Sequence, residues 1–311
     1  RRHHTSRGTQ MATFLQSLLA AVGKPQELLP EDQCPPGSDK EAADLPPKDA
    51  VHYTLHTPLW GPFPDNLEMA MFGMGCFWCS EGVFMELPGV YSTQVGYSAG
   101  VTKNPSYRQV CGGNTNHNEV LRVVFDPEKT SFEALLKVFW EQHDPTTPFR
   151  QGNDSGSQYR SGIYYYSDRQ KELALASKAA YEAKLQEEGL LDKRDGISTE
   201  IEPVKTFYMA EEYHQQYDAR PLSRSYCGLR PLGVELPPAE TWAAPLASTA
   251  HETTTADQQP TTGEAAAVPD LPAAADLPSP AAPTSSKPPA AMPPAPPTEE
   301  TKQGAPSPTS Q

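Results

Sequence analysis

Proline most constrains how this chain can fold, because a proline inside a helix or central strand removes a backbone hydrogen bond. The chain has 311 residues and 34 prolines: nine in residues 1–64, ten in 65–239 and fifteen in 240–311. The last segment has one aromatic residue, Trp242, and cannot bury enough apolar surface to offset its ordering entropy. We therefore predict one domain over 65–239, between a disordered or targeting N-terminal arm (1–64) and a Pro/Ala-rich disordered tail (240–311).

The charge distribution excludes several classes of partner. The formal net charge is -14, and no cluster of basic residues stands against it. Nucleic acids and anionic membrane surfaces need a positive protein surface, and no apolar run approaches the roughly 18 residues of a membrane span. We expect no nucleic-acid partner, no membrane association and a monomeric protein.

The cysteines and the first residues bear on the compartment. Five scattered cysteines are too few for a secreted disulfide scaffold and favour a reducing compartment. We therefore expect a cytoplasmic protein. Residues 1–24 contain four basic residues and no acidic one, which weakly resembles a transit peptide. The alternative location is therefore the mitochondrion or plastid.

The pattern of apolar residues predicts one mixed domain. Apolar runs predict strands over 68–73, 91–97, 119–125, 162–166, 200–204 and 205–209. Helical spacing predicts helices over 76–86, 131–142, 168–185 and 211–217, with Ser131 and Asp168 as N-caps of the second and third. Residues 105–111 read as a helical turn and 144–160 as a loop. Because no βαβ rhythm is present, we predict an α+β fold, a two-layer sandwich with a ferredoxin-like core and helices flanking a mixed or mainly antiparallel sheet.

The segment Gly73-Met-Gly-Cys76-Phe-Trp-Cys79 carries the sharpest chemical signal. It places Cys76 where a strand turns into a helix, and the backbone N–H groups and dipole of a helix N-terminus stabilise a thiolate. Phe77 and Trp78 would put two apolar faces beside the sulfur. On these residues alone, a nucleophile and a buried structural cysteine are equally good interpretations.

Further candidates lie elsewhere in the chain. Glu119 begins a strong strand, where burial would favour a protonated acid, although most such residues are solvated strand ends. Asp154 and Tyr159 lie in a Gly-bounded polar loop, which is a typical place for a site but also an ordinary connection. Tyr107 is equally consistent with a core tyrosine. Cys227 lies near the domain's end, where a thiol could reach another sulfur or remain idle.

Several sequence blocks occur together in one order. They are Gly75-Cys-Phe-Trp78, Leu87-Pro-Gly-Val-Tyr-Ser-Thr-Gln-Val-Gly-Tyr97, His117 with Glu119, His143-Asp-Pro145, Arg150-Gln-Gly-Asn-Asp154, Gln158-Tyr-Arg-Ser161 and Glu212-Tyr-His-Gln-Gln-Tyr217. With these blocks, the chain from about Met69 to Pro238 resembles the type A peptide methionine sulfoxide reductases, which reduce the S epimer of methionine sulfoxide. Their number and order favour the functional interpretations over the structural ones.

The resemblance implies a role for each matched residue. Cys76 matches the nucleophile, Phe77 and Trp78 the pocket for the substrate methyl group, and Glu119 the acid that protonates the sulfoxide oxygen. Tyr107 and Tyr159 match tyrosines that hydrogen-bond this oxygen. Asp154 matches a carboxylate that acts through water, and Cys227 matches the resolving cysteine. The resemblance implies free and protein-bound methionine sulfoxide as substrates, repair of oxidised proteins, thioredoxin as reductant, and no metal or organic cofactor.

Two departures from the family pattern concern thiols. Many members have glycine where this chain has Cys79, so Cys79 is a possible alternative resolving cysteine, or a small buried residue. Many members also carry a further recycling cysteine, whereas residues 233–236 contain none. We therefore predict a single resolving step, with Cys227 favoured over Cys79.

Two other functions compete with this interpretation. Cys76 and Cys79 form a CxxC pair, as in dithiol–disulfide oxidoreductases; in that case Glu119 and Tyr159 would have no role. A scaffold function would instead use residues 288–297, which can form a polyproline II ligand or a plain spacer.

Overall fold

The computed structural model describes residues 27–192, 194–221, 223 and 227–243, and every structural statement below concerns these residues. The predicted targeting segment, residues 1–24, lies outside them. So do residues 244–311, which make up nearly all of the predicted tail.

Four helices and eight strands make up the regular structure of the described residues. The helices are Phe77–Phe84 (α1), Tyr107–Cys111 (α2), Phe132–Glu141 (α3) and Asp168–Glu187 (α4). The strands are Glu68–Met74 (β1), Val90–Ser98 (β2), Asn118–Phe125 (β3), Arg150–Gln151 (β4), Asp154–Ser155 (β5), Ser161–Tyr165 (β6), Glu200–Pro203 (β7) and Tyr208–Met209 (β8). Short 3₁₀ turns span Glu31–Gln33, Ser157–Tyr159, Glu212–His214, Tyr217–Ala219 and Ala239–Thr241.

Six strands form one sheet in the order β7-β6-β1-β3-β2-β8. All neighbours are antiparallel except β6 and β7, which run parallel. Strands β4 and β5 form a separate two-stranded hairpin. This mixed sheet with flanking helices confirms the predicted α+β class.

The main core lies between one face of the sheet and helices α1, α3 and α4. Alternate residues of β1 point into it, among them Ala70 and Phe72, and Phe72 stacks on Phe84, Phe132 and Phe139 from the helices. The intervening residue Met71 belongs to a smaller cluster on the opposite face. Both faces are therefore covered, which explains why β1 is a continuous apolar run.

The ends of the elements follow the predictions closely, with local differences. Ser131 is the N-cap of α3 and accepts the backbone N–H of Ala134 at 3.2 Å, as predicted. The prediction that Asp168 caps α4 is wrong: the N-cap is Ser167, whose backbone is extended and whose hydroxyl accepts from Gln170. The predicted helix over 211–217 is instead two 3₁₀ turns, and the predicted loop over 144–160 contains the β4–β5 hairpin.

The segment 27–64 packs against the domain. His52 and Leu59 are buried, and the His52 ring lies 2.7 Å from the Thr93 hydroxyl of β2. Leu29 exchanges two hydrogen bonds with the Asn116 side chain. For these residues the prediction of a disordered arm is wrong. Their prolines limit regular structure, but contacts with distant parts of the chain order the backbone.

The described C-terminal end also contacts the domain. Trp242 packs against the main core and donates from its indole nitrogen to the Pro237 carbonyl oxygen. Among the described residues, no helix is both long and apolar enough to cross a bilayer.

Candidate active site

Seven of the predicted site residues meet around one small cavity of about 40 Å³. Its lining consists of Cys76, Phe77, Trp78, Tyr107, Glu119, Asp154 and Tyr159. These residues come from α1 and the turn before it, from α2, β3 and β5, and from the 3₁₀ turn Ser157–Tyr159. The fold thus brings together side chains that lie up to about 80 positions apart in the sequence.

Cys76 lies at the turn between β1 and α1, where it is the N-cap of the helix. The turn depends on Gly75, whose φ of +93° disfavours any side chain. A Cβ atom at Gly75 would also lie 2.5 Å from Cβ of Gln151. Glycine is therefore required both for the backbone turn and for the close approach of Gln151.

Glu119 is held against the N-terminus of α1. Strands β1 and β3 are antiparallel neighbours, so the end of β1 and the start of β3 lie at the same edge of the sheet. There the Glu119 Oε2 accepts the backbone N–H of Phe77 at 3.2 Å, and Glu119 is 2% exposed. The acid and the thiol of Cys76 consequently flank the same first helical turn.

Tyr107 and Tyr159 provide two phenol groups to the cavity. Burial, and then the nearby Glu119 carboxylate, raise the pKa of both phenols well above their usual range. Both therefore keep their protons at neutral pH and are hydrogen-bond donors. Tyr107 is positioned as the first residue of α2, which a capping box between Ser106 and Gln109 holds in place.

Phe77 and Trp78 form the apolar wall of the cavity. Phe77 is buried against Tyr97, with ring centroids 5.9 Å apart. Trp78 stacks on Tyr217 at a centroid distance of 4.0 Å. Its indole nitrogen donates to Nδ1 of His214 at 3.0 Å. The apolar faces are thus fixed by contacts on their far sides.

The segment that begins at Cys227 passes beside the cavity. The backbone N–H of Gly228 donates to the Cys79 sulfur at 3.3 Å. A Cβ atom at Gly228 would lie 2.4 Å from Oδ2 of Asp154. A side chain at this position would therefore displace the Asp154 carboxylate, and the glycine keeps the exposed Cys227 close to the buried thiols of α1.

Comparison with known proteins decides the family. A family model described as peptide methionine sulfoxide reductase matches residues 68–235. The peptide methionine sulfoxide reductase MsrA 1 of Synechocystis sp. is 50% identical over 215 residues, covering 69% of this chain and 93% of that protein. The MsrA of Saccharophagus degradans is 52% identical over 188 residues, covering 60% and 85%. The chain belongs to the peptide methionine sulfoxide reductase family.

The solved structures agree with this assignment. The methionine sulfoxide reductase A of Corynebacterium diphtheriae superposes with a TM-score of 0.57 at 37% identity, covering 66% of this chain and 99% of that one. As a member of the family, the protein is an oxidoreductase that reduces methionine sulfoxide with thiol groups. The interpretation as a dithiol–disulfide oxidoreductase without sulfoxide chemistry is not favoured.

The structure adds residues to this reductase site that the sequence did not assign. His214 is buried beside Trp78 and Tyr107, and burial lowers its pKa to about 3, so its ring is neutral. Glu211 accepts from the Tyr97 hydroxyl at 2.8 Å and from the Tyr107 backbone N–H at 2.9 Å. The sequence held one signal for His214, because it lies in the family block Glu212–Tyr217. Its role was not predicted because its contacts, with Trp78 and Tyr107, join distant parts of the chain.

The remaining cysteines lie apart from the lining of the cavity. Cys111 ends α2 and is hydrogen-bonded to the Tyr107 phenol, whereas Cys34 lies in the 27–64 segment and contacts the Pro30 carbonyl oxygen. All five cysteines are present as thiols. Within the described part of the chain, no group of three or more His, Cys, Asp or Glu side chains is arranged to hold a metal ion.

Proposed function

We propose that Cys76 attacks the sulfur of the S epimer of methionine sulfoxide, while Glu119 protonates the departing oxygen. The observation that supports this proposal is the shared cavity, which joins the thiol, the acid, two phenols and two apolar rings. Each of these groups matches one requirement of sulfoxide reduction.

A sulfoxide sulfur becomes electrophilic only when its oxygen is protonated or strongly hydrogen-bonded. Tyr107 and Tyr159 retain their O–H groups at neutral pH and can donate to the oxygen as negative charge develops on it. Asp154 lies on the same wall and acts through a bridging water. In the first step the sulfoxide is reduced to methionine and Cys76 is oxidised to a sulfenic acid.

The apolar rings determine the substrate's orientation. Phe77 and Trp78 would contact the methyl group on the sulfur, which directs the sulfoxide oxygen toward Glu119. Because the cavity accommodates only the end of a side chain, we propose that both free and protein-bound methionine sulfoxide are substrates. Reduction of the latter repairs oxidised proteins.

A sulfenic acid condenses with a neighbouring thiol and releases water. The resulting disulfide is reduced by exchange with an external dithiol, for which we propose thioredoxin. The overall reaction converts methionine sulfoxide and two thiols into methionine, a disulfide and water. No prosthetic group takes part in this scheme.

The test is thioredoxin-coupled turnover with racemic sulfoxide, supplied once as the free amino acid and once within a peptide. We expect the S epimer to be consumed in both substrates and the R epimer to remain. Consumption of thioredoxin-derived electrons without loss of sulfoxide would instead support the dithiol oxidoreductase.

The location and assembly of the protein are also proposals. We propose a cytoplasmic monomer, on the basis of the few scattered cysteines in the sequence and the acidic charge. Imaging of the full-length protein with a C-terminal fluorescent tag tests the location, and a mitochondrial or plastid signal would support the transit-peptide alternative. Sedimentation of the purified chain at several concentrations tests the monomer.

A further inference from the structure

Three thiols form a continuous line from the cavity to the surface. Cys79, the third residue of α1, is hydrogen-bonded through its side chain to both Cys76 and Cys227. Cys76 and Cys79 are 6% and 3% exposed, whereas Cys227 is exposed to solvent. Cys79 is therefore the middle thiol and is shielded from solvent.

The hydrogen bonds along this line change the pKa values of Cys79 and Cys227. The bond from Cys227 lowers the pKa of Cys79, but the bond to Cys76 and the burial of the sulfur outweigh it and raise that pKa to about 12. The bond to Cys79, and then burial, raise the pKa of Cys227 above its usual range. Cys79 and Cys227 therefore keep their protons at neutral pH and can supply them in the two steps described below.

The spacing along α1 allows the first two thiols to bond. Cys76 is the N-cap and Cys79 is three positions later, so the two side chains emerge from the same side of the first turn. The Gly228 N–H donates to the Cys79 sulfur and holds the neighbouring Cys227 against it. The helical spacing therefore brings Cys79 close to Cys76, and the Gly228 hydrogen bond brings it close to Cys227.

We propose that Cys79 is a relay thiol: it takes the oxidising equivalent from Cys76 and passes it to Cys227. The inference rests on the proposed function, because it needs a sulfenic acid on Cys76. It replaces a single resolving step, by either Cys227 or Cys79, with two steps in which both take part.

The first step forms a disulfide within α1. The Cys79 sulfur attacks the sulfenic sulfur of Cys76, and the S–O bond of Cys76 breaks. The proton of the Cys79 thiol leaves with the hydroxyl group as water. The product is a buried Cys76–Cys79 disulfide, and no outside reagent is consumed.

The second step moves the disulfide to the surface. The Cys227 sulfur attacks Cys79, the Cys76–Cys79 bond breaks, and Cys76 recovers a thiol by taking the proton released from Cys227. The product is a Cys79–Cys227 disulfide with one exposed sulfur. An external dithiol protein can reduce this bond without entering the cavity, while Cys76 is already ready for the next substrate.

The decisive experiment maps the disulfide left by one turnover. The full-length protein is mixed with one molar equivalent of an S-sulfoxide peptide and no reductant, quenched with acid, alkylated and digested. A relay predicts one methionine per enzyme, a Cys79–Cys227 bond and an alkylated Cys76. A Cys76–Cys227 bond with alkylated Cys79, or a Cys76–Cys79 bond with alkylated Cys227, would overturn the relay.

Two variants test the order of the steps. The Cys227→Ser protein should stop at the Cys76–Cys79 disulfide. The Cys79→Ala protein should form its first methionine and then accumulate a sulfenic acid that dimedone traps on Cys76. Its thioredoxin-coupled turnover should fall by about tenfold or more. The matched control is Cys34→Ser, which alters a cysteine outside the line and should turn over normally.

The outcomes separate this inference from the proposed function. Wild-type turnover in Cys79→Ala would refute the relay while leaving sulfoxide reduction intact. If the wild type forms no methionine at all, the proposed function itself fails. A misfolded Cys79→Ala protein is recognised by loss of the first methionine, and the disulfide map of the wild type then decides the question alone.

Discussion

Replacing Glu119 with glutamine separates its chemistry from its structural role. In the structure its carboxylate accepts the Phe77 N–H at 3.2 Å. The glutamine Oε1 can accept the same bond, so we expect a stability loss of no more than about 1 kcal/mol. What the amide cannot do is transfer a proton to the sulfoxide oxygen.

The expected decrease in the reaction rate follows from the loss of this proton donor. General acid catalysis contributes about 10²–10⁴-fold to a rate, or about 3–5 kcal/mol of activation free energy. Tyr107 and Tyr159 remain as donors because their raised pKa values keep them protonated. We therefore expect a slowed but measurable reaction in Glu119→Gln.

The assay is a single turnover with enzyme in excess over an S-sulfoxide peptide, quenched on a millisecond-to-minute scale and analysed for methionine. Glu141→Gln is the matched control, because Glu141 also accepts a backbone N–H, from Leu236 at 2.8 Å, but lies outside the cavity. A Glu119→Gln rate within about threefold of this control would refute the role of Glu119 as proton donor.

Three further predictions concern other parts of the molecule. His214→Phe removes the acceptor of the Trp78 indole N–H, which should lower the stability of the protein by about 1–3 kcal/mol. We expect KM for the peptide to rise more than kcat falls. An unchanged KM would contradict the positioning of Trp78 by His214. Burial lowers the pKa of His143 to about 4 from 6.5, so its stabilisation is complete above pH 6.5 and is lost as the pH falls through about 4. Urea unfolding at pH 7, 5.5 and 4.5 should therefore show that the unfolding free energy of the wild type falls by up to about 3 kcal/mol relative to that of His143→Gln. The same pH dependence of the unfolding free energy in both proteins would contradict this prediction. A chain ending after Ala243 retains the packed Trp242 and should keep its sulfoxide turnover, whereas a large loss would place the tail in the enzyme.

Local sequence signals predicted the elements that carry the site. The apolar run at 68–73 and the helical spacing after Cys76 located the turn that presents the thiol. Ser131 was recognisable because capping depends on a side chain close to its own helix. Asp168 was not distinguishable from Ser167, since both are good caps at adjacent positions and the backbone decides between them.

The contacts that the sequence did not predict join distant positions. The bond between Trp78 and His214 spans 136 residues, and no periodicity links the two. Likewise, the CxxC spacing placed Cys79 near Cys76, but only the folded chain shows its contact with Cys227. The 27–64 segment has a composition typical of a linker. Its backbone is ordered by hydrogen bonds to distant residues such as Asn116, which the local sequence does not reveal.

The central claim, that Cys76 reduces the S epimer of methionine sulfoxide, is tested most directly by a single turnover without reductant. Wild-type protein and Cys76→Ser are each mixed with a racemic sulfoxide peptide that supplies one S epimer per protein chain, and the epimers are separated on a chiral column. We predict about one methionine per wild-type chain, formed from the S epimer alone, and none from Cys76→Ser. Methionine formation by Cys76→Ser, or equal loss of both epimers with the wild type, would contradict the account.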